Sequence, residues 1–231
     1  MENSERGVIW WDFDGTLAFR PAMWFEVLYA QLKTKIPAHA IDAALLNEQM
    51  NFGFPWHGNG IHADLRDAHE WWAAVYARME GALTAVGLPG SLTRADFEAI
   101  RVSILDGRRY HLYPDVVPVL ELLSRRGWCH MVVSNHVPEL RKILIDLDID
   151  RYFRKIITSG EIGYEKPNIE IYQHARNLSG PAASIWMLGD NLANDCLVPR
   201  RLGVNSILVR NCVATGEAIC PDLWRVLDWI V

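Results

Sequence analysis

The chain has 231 residues, half of them hydrophobic and 22% charged, a globular composition with enough apolar material for a sizeable core. A formal net charge of -5 with no run of five Lys/Arg residues excludes binding to a nucleic-acid backbone, and no apolar run reaches the length of a membrane span. The cysteines (Cys129, Cys196, Cys212 and Cys220) show neither a C-x-x-C pair nor a zinc spacing, and the N-terminal stretch lacks a secretory leader pattern; a cytoplasmic protein with reduced thiols is expected.

The first element is the apolar run GVIWW (7–11), read as a buried strand, which leads straight into Asp12, Phe13, Asp14 and Gly15. Acidic groups at such a place are costly without a partner. Spaced i and i+2 on an extended chain, Asp12 and Asp14 point to the same side. Two carboxylates about 4 Å apart repel by roughly 4 kcal/mol at an effective dielectric of about 20. A hard cation such as Mg²⁺, which takes oxygen ligands, removes that cost. Taken alone, the pair reads equally well as a turn at Asp14-Gly15 capped by Asp12.

Residues 17 to 112 read as helical throughout. PAMWFEVLYAQLKTKI carries a helical stripe of Trp24, Val27, Leu28, Leu32 and Ile36. NFGFPWHGNG is a loop by its Gly and Pro content. DLRDAHEWWAAVYARMEGALTAVG is a second helix ending at Gly87, and SLTRADFEAIRVSIL opens with a capping-box spacing of Thr93 and Asp96. From Tyr113 onward the texture alternates. A helix starts at Pro114 and stops at Gly127. The strand CHMVVS (129–134) is followed by the helix PELRKILIDL with Pro138 at its first position. The strand KIITS (155–159) precedes a helix from Pro167, and SIWMLGD (184–190) precedes one that closes at Gly203. NSILVR (205–210) is the last strand. Alternating strands and helices imply a parallel, Rossmann-like α/β sheet, with the helical block inserted after its first strand. The expected division is a core domain of 1–16 and 113–231 and a helical cap domain of 17–112.

Ligands of such sheets bind beyond the carboxyl ends of the strands. There the sequence places Asp12 and Asp14, then Ser134 and Asn135, then Lys166 before Pro167, then Asp190 and Asp195 in GDNLAND (189–195). Each also has an ordinary reading. Ser134 and Asn135 suit a helix N-cap as well as an anion site. Lys166 suits the surface, and Asn194 or Asp195 suits the cap of the next helix. Their order along one sheet is what asks for a common explanation.

The set DFDGTL (12–17), SN (134–135), EKP (165–167) and GDNLAND (189–195) resembles the four signatures of the haloacid dehalogenase-like (HAD) hydrolase superfamily. The resemblance covers nearly the whole chain, including a cap inserted after the first signature. FPWHGNG, EWW and GDN with VPRRLG are also similar to a smaller branch, the HAD-like hydrolase domain-containing proteins. Val198 stands where a glycine is common in the family. The resemblance implies a Mg²⁺-dependent phosphatase acting on a small phosphorylated metabolite. Asp12 would be the nucleophile, forming an aspartyl-phosphate, and Asp14 the acid and then the base. Mg²⁺ would be held by Asp12, Asp190 and the Asp14 carbonyl; Ser134, Asn135 and Lys166 would hold the phosphate oxygens. Thr16 and Asp195 would support the site, Thr16 through a hydroxyl aimed at Asp14 or the phosphate. Trp56, His57 and His136 are the candidates for contact with the leaving group, whereas Arg20 reads as a solvated cation. The spacing of His57, His62 and His69 fits no zinc site. A dehalogenase would need no acid two residues after its nucleophile. A phosphomutase on the same fold, or a non-enzymatic interaction module, is the remaining alternative.

Overall fold

A computed structural model describes residues 6–21, 23–57, 59–65, 67–181, 184–210 and 219–230. Strand β1 (Gly7–Trp11) is buried along its whole length. Val8 and Trp10 enter one apolar cluster and Ile9 and Trp11 the other, so both faces of the strand are covered. That explains the continuous apolar run, which a half-exposed strand would break by alternation. The indoles are satisfied inside the core: Trp10 Nε1 donates to Ser179 Oγ at 2.9 Å and Trp11 Nε1 to His130 Nδ1 at 3.0 Å.

A short strand β2 (Ala18–Phe19) follows, then the helical insert: α1 (Met23–Lys33), α2 (Ala43–Gln49), α3 (Ala68–Ala85) and α4 (Arg94–Ile104). Strand β3 (His111–Leu112) closes the insert by pairing antiparallel with β2, Ala18 opposite Leu112. The expectation of helix throughout 17–112 is corrected here. Two-residue strands are too short to show an alternating pattern, and they join the two ends of the insert. The helix ends follow local chemistry. Asp67 accepts from His69 N and Glu70 N at the start of α3, and Gly87 adopts a positive φ of 77° just past its end. The capping box of Thr93 and Asp96 is present at α4.

The rest of the chain runs α5 (Val116–Arg125), β4 (Trp128–Ser134), α6 (Leu140–Asp146), β5 (Phe153–Thr158), α7 (Ser159–Ile162), α8 (Ile169–Ser179), β6 (Ile185–Gly189), α9 (Val198–Arg201), β7 (Asn205–Val209) and β8 (Ile219–Cys220). A π-helical turn, Leu192–Leu197, links β6 to α9. The main sheet has the order β5-β4-β1-β6-β7-β8, with every pair parallel. β1 therefore lies between β4 and β6, with Trp11 level with Val132 and Leu188. The strand order reverses at β1, and a crevice opens beyond its end.

Several boundaries differ from the sequence reading. Pro138 lies outside α6, whose N-cap is Glu139. α8 begins after its N-cap Asn168 rather than at Pro167. Neither Asn194 nor Asp195 caps the segment after β6; Asn191 does, accepting from Asn194 N at 3.1 Å. Cys129, Cys196 and Cys220 form no disulfide among the described residues, and Cys212 lies outside them. No helix of the described residues is long and apolar enough to cross a membrane.

Candidate active site

Asp12 follows β1 directly, and its backbone N–H donates to Leu188 O at 2.8 Å, which ties it to β6. Its carboxylate is buried. Oδ1 accepts from Ser134 Oγ at 2.9 Å and from Lys166 Nζ at 2.8 Å. Among the described residues, Oδ2 has a single long contact, from Thr16 Oγ1 at 3.5 Å. Thr16 thus faces Asp12 rather than Asp14, one of the two partners expected for its hydroxyl, the other being the phosphate. Lys166 also donates to Asp195 Oδ1 at 2.7 Å. Burial opposes charge on this ammonium, but the Asp12 and Asp195 carboxylates outweigh burial and raise its pKa. Lys166 is only 3% exposed. It acts first on the two carboxylates and does not line the cavity described below.

Two glycines make room for this cluster. Gly15 has a φ of 76°, and a Cβ there would run into the Asp190 carboxylate. A Cβ on Gly189 would run into the carboxylate of Asp195, whose Oδ2 accepts from Asn191 N at 3.0 Å. Asn135 works as a clamp: its Nδ2 donates to Lys166 O at 2.9 Å and its Oδ1 accepts from Lys166 N at 2.6 Å. The Lys166–Pro167 peptide is cis. On the other side, Arg210 Nε donates to Thr16 O at 2.7 Å while its Nη2 holds Asp115 Oδ1 at 2.6 Å. Arg210 and Asp115 escaped the sequence reading because their ion pair joins segments 95 residues apart.

Oxygen ligands of Asp12, Asp190 and Asp195 lie within 4.8 Å of one another. Burial, then repulsion from Asp12, raises the Asp190 pKa to about 6, and burial also raises that of Asp195 against the pull of Lys166. Three hard oxygen donors and one ammonium leave net negative charge, a donor set that fits Mg²⁺. Asp14 stands apart from the Asp12 hydrogen bonds. Its side chain is 48% exposed and faces a partly open cavity. Burial there, with Asp12 and Asp190 adding repulsion, pushes its pKa up to about 8.

The cavity has a volume of about 160 Å³. Asp14, Asn135, His136 and Glu165 line it from the sheet side, and Trp24, Trp56 and Trp71 from the insert.

The sequence matches the family described as haloacid dehalogenase-like hydrolase over residues 7–203. The chain belongs to the haloacid dehalogenase-like hydrolase family. A phosphoserine phosphatase of Thermus thermophilus is 34% identical over 124 residues, 52% of this chain and 49% of that protein. A glyceraldehyde 3-phosphate phosphatase of Methanothermobacter thermautotrophicus is 32% identical over 108 residues, 46% of this chain and 47% of that protein. The chain thus spans about half the length of the curated relatives it matches. Among solved structures, the HAD-hydrolase YfnB of Bacillus subtilis bound to magnesium superposes with a TM-score of 0.60 at 15% identity, covering 98% of this chain and 99% of that one.

Within this HAD hydrolase the other sequence candidates separate. Trp56 and His136 line the cavity, whereas His57 does not. His57 Nδ1 accepts from Phe54 N at 3.1 Å and its ring packs edge-on against Phe54 and Trp56, so it shapes the loop. Arg20, expected in solvent, donates through Nη1 to Ser103 O at 2.8 Å and Ile104 O at 3.3 Å. His62, weighed in the sequence only as a zinc ligand, takes another place. Its Nε2 lies 2.8 Å from Glu165 Oε1, both side chains buried. Beside this pair His62 N donates to Gly163 O and Glu165 N to Gly60 O, both at 2.8 Å. The loop of the insert is thereby pinned next to Lys166. A second pin lies at α6, where the Glu139 carboxylate accepts from Trp72 Nε1 at 3.0 Å and from Arg101.

Proposed function

We propose that this HAD hydrolase is a phosphatase that hydrolyses a small phosphomonoester through an aspartyl-phosphate on Asp12. The observation that carries the reading is the state of Asp12. Ser134 and Lys166 both hold Oδ1, which fixes the carboxylate and leaves Oδ2 as the less encumbered oxygen. Asp14, two residues on, faces the cavity.

In the first step Asp12 Oδ2 forms a bond to phosphorus as the bond from phosphorus to the ester oxygen breaks, and Asp14 gives its proton to the departing alkoxide. In the second, water attacks the same phosphorus, its proton passes to Asp14, and the bond to Asp12 breaks to release inorganic phosphate. Lys166, Ser134 and the backbone of Asn135 stabilise the charge spread over the equatorial oxygens. Asp12, Asp190 and the backbone carbonyl of Asp14 would hold Mg²⁺. When bound, the ion screens the negative phosphoryl group from the carboxylates and polarises its oxygens. The magnesium-bound relative and the acidic cluster support this choice of metal.

We read residues 1–16 and 113–231 as the core domain that carries this chemistry, and 17–112 as the cap that excludes water and selects the alcohol. The relatives that act on phosphoserine and glyceraldehyde 3-phosphate support a small phosphorylated metabolite as the substrate. The thiol usage of the sequence supports a cytoplasmic setting.

The test is p-nitrophenyl phosphate hydrolysis with and without Mg²⁺, in the native protein and in Asp12→Asn. Metal-dependent release of inorganic phosphate that Asp12→Asn abolishes is expected. Unchanged turnover in the variant overturns the assigned nucleophile. Phosphate retained on a product, without free release, would instead identify a phosphomutase.

A further inference from the structure

Residues 163–168 join α7 to α8 and lie outside both, so their backbone groups need partners from elsewhere. The sheet supplies one set, because Asn135 holds the N–H and the carbonyl of Lys166. The insert supplies another. Ile61 pairs antiparallel with Tyr164, framed by the bonds from His62 N to Gly163 O and from Glu165 N to Gly60 O. Two glycines allow this close approach. Gly163 has a φ of 80°, and a Cβ there would lie 2.4 Å from Ala63 Cα, a backbone atom that cannot swing away. A Cβ on Gly60 would lie 2.9 Å from Glu165 Cβ.

Side chains reinforce the pairing. The contact of His62 Nε2 with Glu165 Oε1 is, among the described residues, the only hydrogen bond of the Glu165 carboxylate. Asn168 stands at the N-cap of α8, where an asparagine oxygen ordinarily accepts from the first turn. Its side chain makes no such bond. The amide instead donates to Asn59 O at 3.0 Å, Gly60 O at 3.2 Å and Glu165 O at 2.8 Å. A helix cap is given up for a tie to the insert.

Lys166 stands between these ties. Its ammonium is withdrawn from water and reaches Asp12 and Asp195 from a backbone with no regular structure of its own. Displacing a group that acts on the transition state by about 1 Å costs on the order of 10²-fold in rate. Asn135 fixes the peptide groups of Lys166 itself, and the insert holds the backbone that leads into it. Loss of His62 would leave a buried carboxylate unpaired, and such a group moves to find water or a new partner.

Building on the phosphatase reading, we propose that His62 and Asn168 are positioning residues for Lys166: the pairing of 60–62 with 163–165 lets the insert seat the charge that acts on the phosphoryl group.

The experiment uses the Mg²⁺-loaded protein, His62→Ala and Asn168→Ala, with p-nitrophenyl phosphate and acetyl phosphate as substrates. Each variant is expected to lower kcat by about tenfold or more, and by the same factor for both substrates, which share only the phosphoryl group. His62→Gln, which keeps a donor near the place of Nε2, is expected to restore most of the loss. In a Lys166→Met background, His62→Ala should change kcat by less than about twofold, because the group it positions is gone. A full additional loss there, or a loss confined to one substrate, overturns the proposal. A second measurement needs no turnover. Acetic anhydride labels lysines, and peptide mass spectrometry reads the rate at each, well below the melting midpoint of every variant. Lys166 is expected to label about tenfold faster in His62→Ala than in the native protein, with the exposed Lys35 and Lys142 unchanged as references. An unchanged rate at Lys166 overturns the proposal. No hydrolysis of p-nitrophenyl phosphate by the native protein would overturn the phosphatase reading, and the labelling would still decide the seating of Lys166.

Discussion

Lys166 Nζ lies 2.8 Å from Asp12 Oδ1, and the pair is almost wholly withdrawn from water. The same ammonium bridges to Asp195 at 2.7 Å, so one positive charge holds two carboxylates that would otherwise repel. Removing one partner of a buried ion pair costs more than the pair itself is worth, because the remaining charge has no counter-ion. Lys166→Met, of similar length, is therefore expected to lower stability by about 3 kcal/mol. It should also lower kcat by on the order of 10²-fold or more, through loss of a charge that stabilises the transition state. Urea denaturation and steady-state kinetics check both. A variant with the native urea midpoint would show that Lys166 does not stabilise the carboxylate cluster.

The parts of this site that were legible in the sequence are those fixed by the chain's local geometry. Asp12 and Asp14 stand out because they end an apolar run, and Ser134 and Asp190 because each ends a strand, whereas Lys166, which alone suits the surface, stands out only through the EKP signature of the resemblance. The parts that were not legible depend on contacts between distant segments. The pairing of His62 with Glu165 joins the insert to the sheet across 103 residues, and neither side chain sits in a pattern that announces the other. Arg210 reaches back to Thr16 across 194 residues. The short strands β2 and β3 escaped for a different reason, since two residues carry no periodicity. His57, expected with Trp56 to contact the leaving group, turns its ring to the backbone of its own loop.

Two glycines give opposite outcomes for the same change to alanine. A Cβ on Gly189 would overlap the carboxylate of Asp195, and moving that carboxylate disturbs Lys166 as well. Gly189→Ala is expected to lose about 1–3 kcal/mol, the range for overpacking a filled site, together with activity. Gly81 lies exposed within α3, with nothing closer to a new Cβ than Arg78 Nη1 at 3.7 Å. Gly81→Ala is expected to gain about 0.5–1 kcal/mol from the lower conformational entropy of the unfolded chain, with activity unchanged. Thermal melts of both variants decide the matter. Equal shifts of the same sign would show that the close approach of Asp195 to Gly189 is not what that glycine serves.

Acid should weaken the insert through Asp96. Its carboxylate accepts from Thr93 N at 2.9 Å and Thr93 Oγ1 at 2.7 Å, then from Gln31 Nε2 at 2.8 Å, with Lys35 Nζ at 3.1 Å, so it caps α4 and ties it to α1. These bonds favour the ionised form, and the hydrogen bonds from Thr93 above all hold its pKa well below the usual carboxylate range. In the folded state Asp96 therefore stays charged at a pH where the unfolded chain, with a carboxyl pKa of about 4, has taken up a proton. The unfolded state binds the extra proton in that window, so stability rises with pH across it. The contribution is complete above the unfolded value and is lost as pH falls toward the folded one. Asp96→Asn lacks this linkage. Its melting temperature is expected to lie below the native one at neutral pH, and the gap should narrow as pH drops below about 4. Because other carboxyls titrate in the same range, the informative quantity is the difference between the two proteins measured side by side. A gap that stays constant down to about pH 2 would show that the folded state does not favour the charged form of Asp96.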